Sequence, residues 1–449
     1  MEAPVEKNER PTPVSFFHPS LDATRLRVTR KWAQTVLILC VFVLTVLSLF
    51  WAVQFSVEKK MPALTAWVVD FDGQVEPYRS TEPLVGPIIT NTTQNIIESG
   101  GIRLGYQIKS PADFLNDPMA VRQAVYNEHT HAAIIINSNA TALLYAALSQ
   151  GNTSYDPNGA VSLLTLSARD PTSYSIYIVP AIHQFESAVL SKFGSAWVNL
   201  VANESFTTIT TVPQAVNPGI GFTKLDLRPF GPAVATPAIT IGLIYLIIIA
   251  FFTFPFLMPI HSQYVTDKHS NLKISHWIVW RILSNIVAYF FLSLFYSFVS
   301  LAFQIPLSNP SAAGTVPATN ANGYGSSSFM VYWMLNWVGM SAVGFPCENM
   351  AMVLGFPWSS FFLIFWVITN VATGFYPLEL APSLFRWGYA WPLHRMNKIV
   401  VEASRTILFD THSRIGLDFG VLFAWIAVSV AFFPIAKMIM RWRMMKFGK

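Results

Sequence analysis

AQTVLILCVFVLTVLSLFWAV, residues 33–53, contains no charged side chain and would extend ~31 Å as a helix, enough to cross the hydrocarbon core of a bilayer. About thirty polar residues precede it, so it reads as a signal anchor rather than a short cleavable leader. Working outward, Lys7, Arg10, Arg25, Arg27, Arg30 and Lys31 lie before it, and Lys437, Arg441, Arg443, Lys446 and Lys449 close the chain. Residues 54–233 carry ten Lys/Arg against fourteen Asp/Glu. The positive-inside rule then puts both termini in the cytoplasm, which requires an even number of spans.

Composition agrees. Of 449 residues, 53% are hydrophobic and only 12% charged, about half the share of a soluble domain. The net charge of +5 comes from residues flanking apolar runs, not from one basic patch with interleaved aromatics, so nucleic acid is not an expected partner. Further apolar runs at Val234–Met258, Trp277–Phe303, Phe329–Leu354, Trp358–Tyr376 and Phe419–Ala436 bring the expected spans to six. Pro237 and Pro255 predict a kink in the second, and Gly355-Phe356-Pro357 a tight turn between the fourth and fifth. The Ser-, Gly- and Ala-rich stretch 304–328 reads as a mobile outer loop. Residues 377–418, with Pro377, Pro382 and Pro392 among aromatics, are too broken to cross. They read as a re-entrant segment, with a loop lying on the headgroups as the alternative.

Four N-X-Ser/Thr acceptors, Asn91, Asn139, Asn152 and Asn203, all fall between the first and second apolar runs, which assigns that part to the lumenal side as a glycosylated domain. Strands are expected at Leu64–Phe71, Ala132–Asn137 and Val161–Ser167, and helices at Asp117–Asn127, Thr141–Leu148 and Tyr174–Val201, making an α/β domain. The organisation expected is a disordered cytoplasmic tail (1–31), a first span (32–54), the outer α/β domain (55–233), a membrane domain (234–439) and a cytoplasmic tail (440–449). Cys40 and Cys347 lie in apolar runs, leaving the outer domain without a disulfide.

No phosphate loop, nucleophile elbow, H-E-x-x-H helix or C-x-x-C pair is present, so no catalytic residue, metal site or cofactor is assigned. Asp70-Phe71-Asp72-Gly73 lacks the remaining ligands of a calcium loop and reads as a turn; His129 and His131 lack a third metal ligand. Glu348 is the only charged side chain between Arg281 and Glu379. An ionisable group in a span is a candidate for function, and Arg281 is its expected partner. Asn285, Asn336, Asn349 and Asn370 either line a path with them or join helices. On the outer side, His394, Arg395, Glu402 and Arg405 read as anchors to headgroups, and the 261–276 connector as a short solvated loop or a docking point.

Residues 370–425 resemble the C-terminal signature of the fungal nitrosoguanidine-resistance (SNG-type) membrane proteins, in Tyr376-Pro377, Gly388-Tyr389-Ala390, Arg405-Thr406-Ile407 and Gly416-Leu417-Asp418-Phe419-Gly420-Val421-Leu422. That family is similar to the membrane half of ABC-2 exporters, and Ala66–Phe71 followed by Asp72-Gly73 resembles the start of their external domains. The resemblance implies a polytopic α-helical plasma-membrane protein of ABC-2-like architecture that confers resistance to toxic small molecules. It departs from the exporters in lacking an ATPase. Membrane lipids and an amphipathic cargo are the expected partners, and a homodimer is compatible with the architecture. The competing reading is a non-transporting scaffold or regulator of lipid asymmetry or transporter trafficking; an enzyme is not expected.

Overall fold

The computed structural model describes residues 13–204, 206, 208–266, 272–305, 307, 327–396 and 415–447. A long first helix, α1 (22–52), runs as Asp22–Phe42, a π-turn at Val43–Leu47 and Ser48–Ala52. Helix therefore begins ten residues inside the stretch expected to be a disordered tail, because Asp22 to Lys31 offers nothing that breaks a helix.

An α/β lobe follows. Its elements are β1 (Thr65–Asp70), α2 (Val85–Glu98), β2 (Gly105–Lys109), α3 (Pro118–Tyr126), β3 (Ala132–Ile136), α4 (Ala140–Gln150), β4 (Val161–Thr165), α5 (Val179–Asn203) and β5 (Phe222–Asp226). The strand order is β2-β1-β3-β4-β5, with every pair parallel except β3 and β4. β3 (AAIII) is buried throughout, as a central strand covered on both faces must be. On one face Ala66, Val68, Ile134 and Leu163 pack under α2, α4 and α5; on the other Val69, Ala133 and Ile135 meet Val121 and Val125 of α3.

Asp70 closes β1 almost buried, and loss of water pushes its carboxyl up to about 6. The folded lobe holds that proton more tightly than the unfolded chain does. Stability contributed by the neutral carboxyl is thus present at low pH and lost as pH rises from 3.8 to about 6. Asp70→Asn, which keeps the oxygen that accepts from Asp72 N, is expected to raise the lobe's stability at pH 7.5 by at most about 3 kcal/mol, with no gain below pH 4. Hydrogen exchange of the β1 amides at both pH values reads this directly; an equal effect at the two would refute it.

Beyond the lobe the described residues are mainly helical. Thr236–Ile239 leads to α6 (Ile241–Thr266), with the backbone broken at Thr240 just after Pro237. Then come α7 (Ile274–Ala302), α8 (Ser328–Leu354), α9 (Ser359–Gly374) and α10 (Ile415–Phe447). Among the described residues four helices are long and apolar enough to cross a membrane: those within Pro19–Ala63, Ala233–Tyr264, Ile274–Ala302 and Gly416–Lys446. α8 has the length but carries Asn336, Glu348 and Asn349 among its buried residues, and α9 is a shorter apolar helix. α10 continues as helix into the stretch expected to be a tail. The α8–α9 turn needs Gly355: its φ is +68°, and a Cβ there would overlap the Arg443 guanidinium, which donates to Val353 O at 3.1 Å.

Of the broken segment, residues 377–396 are packed into the bundle and 415–418 already form the first turn of α10. Leu393 and Met396 are fully buried, and Met396 fills the space left by Gly339 of α8. Trp391 lies 4.7 Å from Trp387 and 5.5 Å from Trp425, and its Nε1 donates to Thr369 Oγ1. The same segment reaches the lobe, since Leu380 belongs to the lobe's core and Lys60 Nζ donates to Ala381 O.

Candidate functional site

The face of α7 turned inward is polar. Its buried residues are Trp277, Arg281, Asn285, Tyr289, Ser293, Ser297 and Ser300, at three- and four-residue spacing, while Leu283, Val287, Phe291, Phe295 and Phe298 point out. A helix in water would be arranged the other way round. In lipid the apolar face meets acyl chains and the polar face needs partners among neighbouring helices.

Those partners come mainly from α8. Arg281 Nε donates to Glu348 Oε1 at 2.6 Å, and Asn285 Nδ2 donates to the other carboxylate oxygen. Arg281 and Glu348 have essentially no solvent exposure. Further along, Asn336 Nδ2 donates to Ser297 Oγ at 2.9 Å and Ser300 Oγ lies 2.9 Å from Tyr332 Oη. On the other side Tyr289 Oη approaches Thr253 Oγ1 and Ala250 O of α6. Arg281 to Ser300 is ~29 Å along a helix, the thickness of a hydrocarbon core, so the contacts form a seam through the bundle.

The two remaining asparagines lie apart from the charge pair. Asn349 Nδ2 donates to Ser429 O of α10, and Asn370 ties α9 to the broken segment by accepting from Leu393 N. Both join helices. The sequence reading missed Tyr289, Ser293, Ser297 and Tyr332, although the repeated four-residue spacing from Arg281 onward carried the signal. Polar atoms remain unsatisfied at the pair: Arg281 Nη1 and Nη2 and Asn285 Oδ1 have no hydrogen-bond partner among the described residues.

A second, smaller site joins lobe and bundle. A cavity of about 100 Å3 is lined by Glu128, His131, Arg169 and Asp170 of the lobe and by Pro377, Glu379, Tyr389, His394, Arg395 and Asp418. Arg395 Nη1 pairs with Asp418 Oδ1 at 2.7 Å, and Arg169 Nη1 donates to Glu128 O and Thr130 O, both at 3.0 Å. His131 Nδ1 accepts from Thr65 N. Tyr376 packs on Phe50 of α1, and Gly388 lies against Thr373, where a Cβ would clash. Arg405 and Glu402 lie outside the described residues, as does 308–326 of the expected outer loop. Of the glycosylation acceptors, Asn91, Asn152 and Asn203 are exposed and Asn139 is half-buried at the start of α4.

The family described as "Protein of unknown function (DUF3533)" matches residues 35–431. This chain belongs to that family. Among curated proteins it is similar to the "Uncharacterized endoplasmic reticulum membrane protein YJR015W" of Saccharomyces cerevisiae, 26% identical over 444 residues, covering 94% of this chain and 82% of the relative. No solved structure matches. The family match runs from within α1 through the lobe and into α10, so lobe and helical bundle belong to one family.

Proposed function

We propose that the chain is a six-span permease of ABC-2-like architecture that exports toxic amphipathic small molecules or limits their permeation, powered by a partner or a gradient, since its sequence carries no phosphate loop. Six spans follow if α8 and α9 cross with the other four helices; the lobe then faces the lumen or cell exterior and both ends the cytoplasm. The plasma membrane is the location implied by the nitrosoguanidine-resistance resemblance, and the endoplasmic reticulum the one carried by the yeast relative's name. The observation that supports this reading is the seam from Arg281 to Ser300. A buried ion pair is a poor device for stability, since well-packed apolar residues do as well or better, and within a membrane such groups mark pathways.

The second reading, a non-transporting regulator of lipid asymmetry or transporter trafficking, is favoured by the closed packing of that seam. A fungal strain lacking the gene separates the options. Complementation with the full chain is expected to restore tolerance of nitrosoguanidine, and Glu348→Gln, which leaves Arg281 buried without its counter-charge and is therefore compared at matched amounts of folded protein, to lose it. Equal protection by Glu348→Gln would remove the seam from the mechanism. Uptake of a fluorescent amphipathic cation by liposomes holding the purified chain under an imposed ion gradient would support a carrier; its absence there and in fungal membrane vesicles that supply any partner, with resistance intact, would support the regulator.

A further inference from the structure

Where α6, α7 and α10 end side by side, they enclose a groove of about 550 Å3 that no part of the seam uses. Its wall is apolar and soft, with Met258, Ile274, Met440 and Met444 in the lining. Its charged residues are all cations: Lys273, Lys437 and Arg441, with no acidic side chain among the lining residues. Lys437 was expected to follow the last span. Instead it lies within α10, its ammonium 3.5 Å from the centroid of the Trp277 ring. One turn beyond Trp277 is Arg281, wholly buried, both Nη atoms without partners among the described residues and only Glu348 to offset its charge.

We infer that this groove binds an anionic phospholipid, its headgroup on Lys273, Lys437 and Arg441 and the first carbons of an acyl chain along the methionines. The argument is one of charge and shape. Methionine side chains adapt to a flexible chain, and long cationic side chains at helix ends lie level with lipid phosphates. Basic pockets between membrane helices on the cytoplasmic side, where the six-span reading puts these helix ends, take anionic headgroups. A choline headgroup finds no carboxylate in the groove, so a zwitterionic lipid gains less. A soluble anion would have no use for the apolar wall. The site does not depend on whether the seam transports anything.

The test uses the full chain purified in detergent, titrated with phosphatidylserine or with phosphatidylcholine of the same acyl chains, the bound lipid counted by native mass spectrometry. The expected result is a single tight adduct with phosphatidylserine at a concentration about tenfold lower than with phosphatidylcholine. Lys273→Gln with Arg441→Gln changes two exposed side chains and should leave the melting temperature unchanged, while cutting that preference at least about threefold. Adding Lys437→Gln should abolish it. Equal affinity of the parent for the two lipids would overturn the assignment, and so would a folded double variant whose preference fell by less.

Discussion

Arg281→Met is expected to destabilise the helical bundle by about 3–5 kcal/mol, because it leaves the Glu348 carboxylate buried with Asn285 as its remaining partner. The double variant Arg281→Met with Glu348→Met is expected to recover most of that loss, since two flexible apolar side chains can fill the same volume without a charge to desolvate. Asn336→Leu, which removes a neutral bond to Ser297 across the helix pair, should change stability by about 0.6 kcal/mol, the usual size of an interhelical hydrogen bond in a membrane. Unfolding of the purified chain in mixed micelles, followed by tryptophan fluorescence, supplies all three numbers. If the single variant stayed within 1 kcal/mol of the parent, or the double fell below it, the pair would not be the desolvated contact described. The comparison also bears on function: a double variant that is stable yet inactive in the resistance assay would mean the charges are retained for something other than holding α7 to α8.

What the sequence disclosed depended on how much each element relied on its own residues. β1, β3 and β4 are central strands whose apolar runs announce themselves, and Asp117 and Pro118 mark the start of α3 as cap and first residue. β2 (GYQIK) and β5 (FTKLD) gave no such signal because they are edge strands: one partner each, partial exposure and no need of a continuous apolar run. α2 (VGPIITNTTQNIIE) was hidden by β-branched residues and Pro87, and is helical because its apolar face packs against β1 and α5. In the bundle, the spacing that joins Arg281 to Glu348 could be inferred from charge scarcity alone. For the rest of the seam the four-residue repeat from Arg281 marks a polar face on α7, but what its serines and tyrosines bond is shown only by the facing helix. The packing partner of the broken segment was not legible in the sequence, since the contact of Met396 with Gly339 joins residues 57 apart in the chain.

Asp72 was read as part of a turn, and the turn is there, with Gln74 N donating to Phe71 O. The side chain does more. It is 1% exposed and accepts from Gly86 N at 3.1 Å, Thr141 N at 2.9 Å and Thr141 Oγ1 at 2.5 Å. Thr141 Oγ1 in turn accepts from Leu84 N and Val85 N. One carboxylate and one hydroxyl therefore satisfy the free amides at the first turns of both α2 and α4, where helix dipoles favour negative charge. Each charge-assisted bond contributes about 1.5–3 kcal/mol, so Asp72→Ala is expected to destabilise the lobe by at least about 3 kcal/mol. Asp72→Asn keeps one acceptor and presents an NH2 group to donors, which places it between the parent and alanine. Thr141 is also the third residue of the Asn139 sequon, so its loss would confuse an anchoring effect with a glycosylation effect; Asn139→Gln removes the sequon and leaves the hydroxyl in place. Hydrogen exchange of the α2 and α4 amides in the full chain should therefore rise sharply in Asp72→Ala and hardly at all in Asn139→Gln. The reverse order, or protection unchanged in Asp72→Ala, would mean that α2 and α4 are held by their apolar faces and that the carboxylate contributes nothing to them.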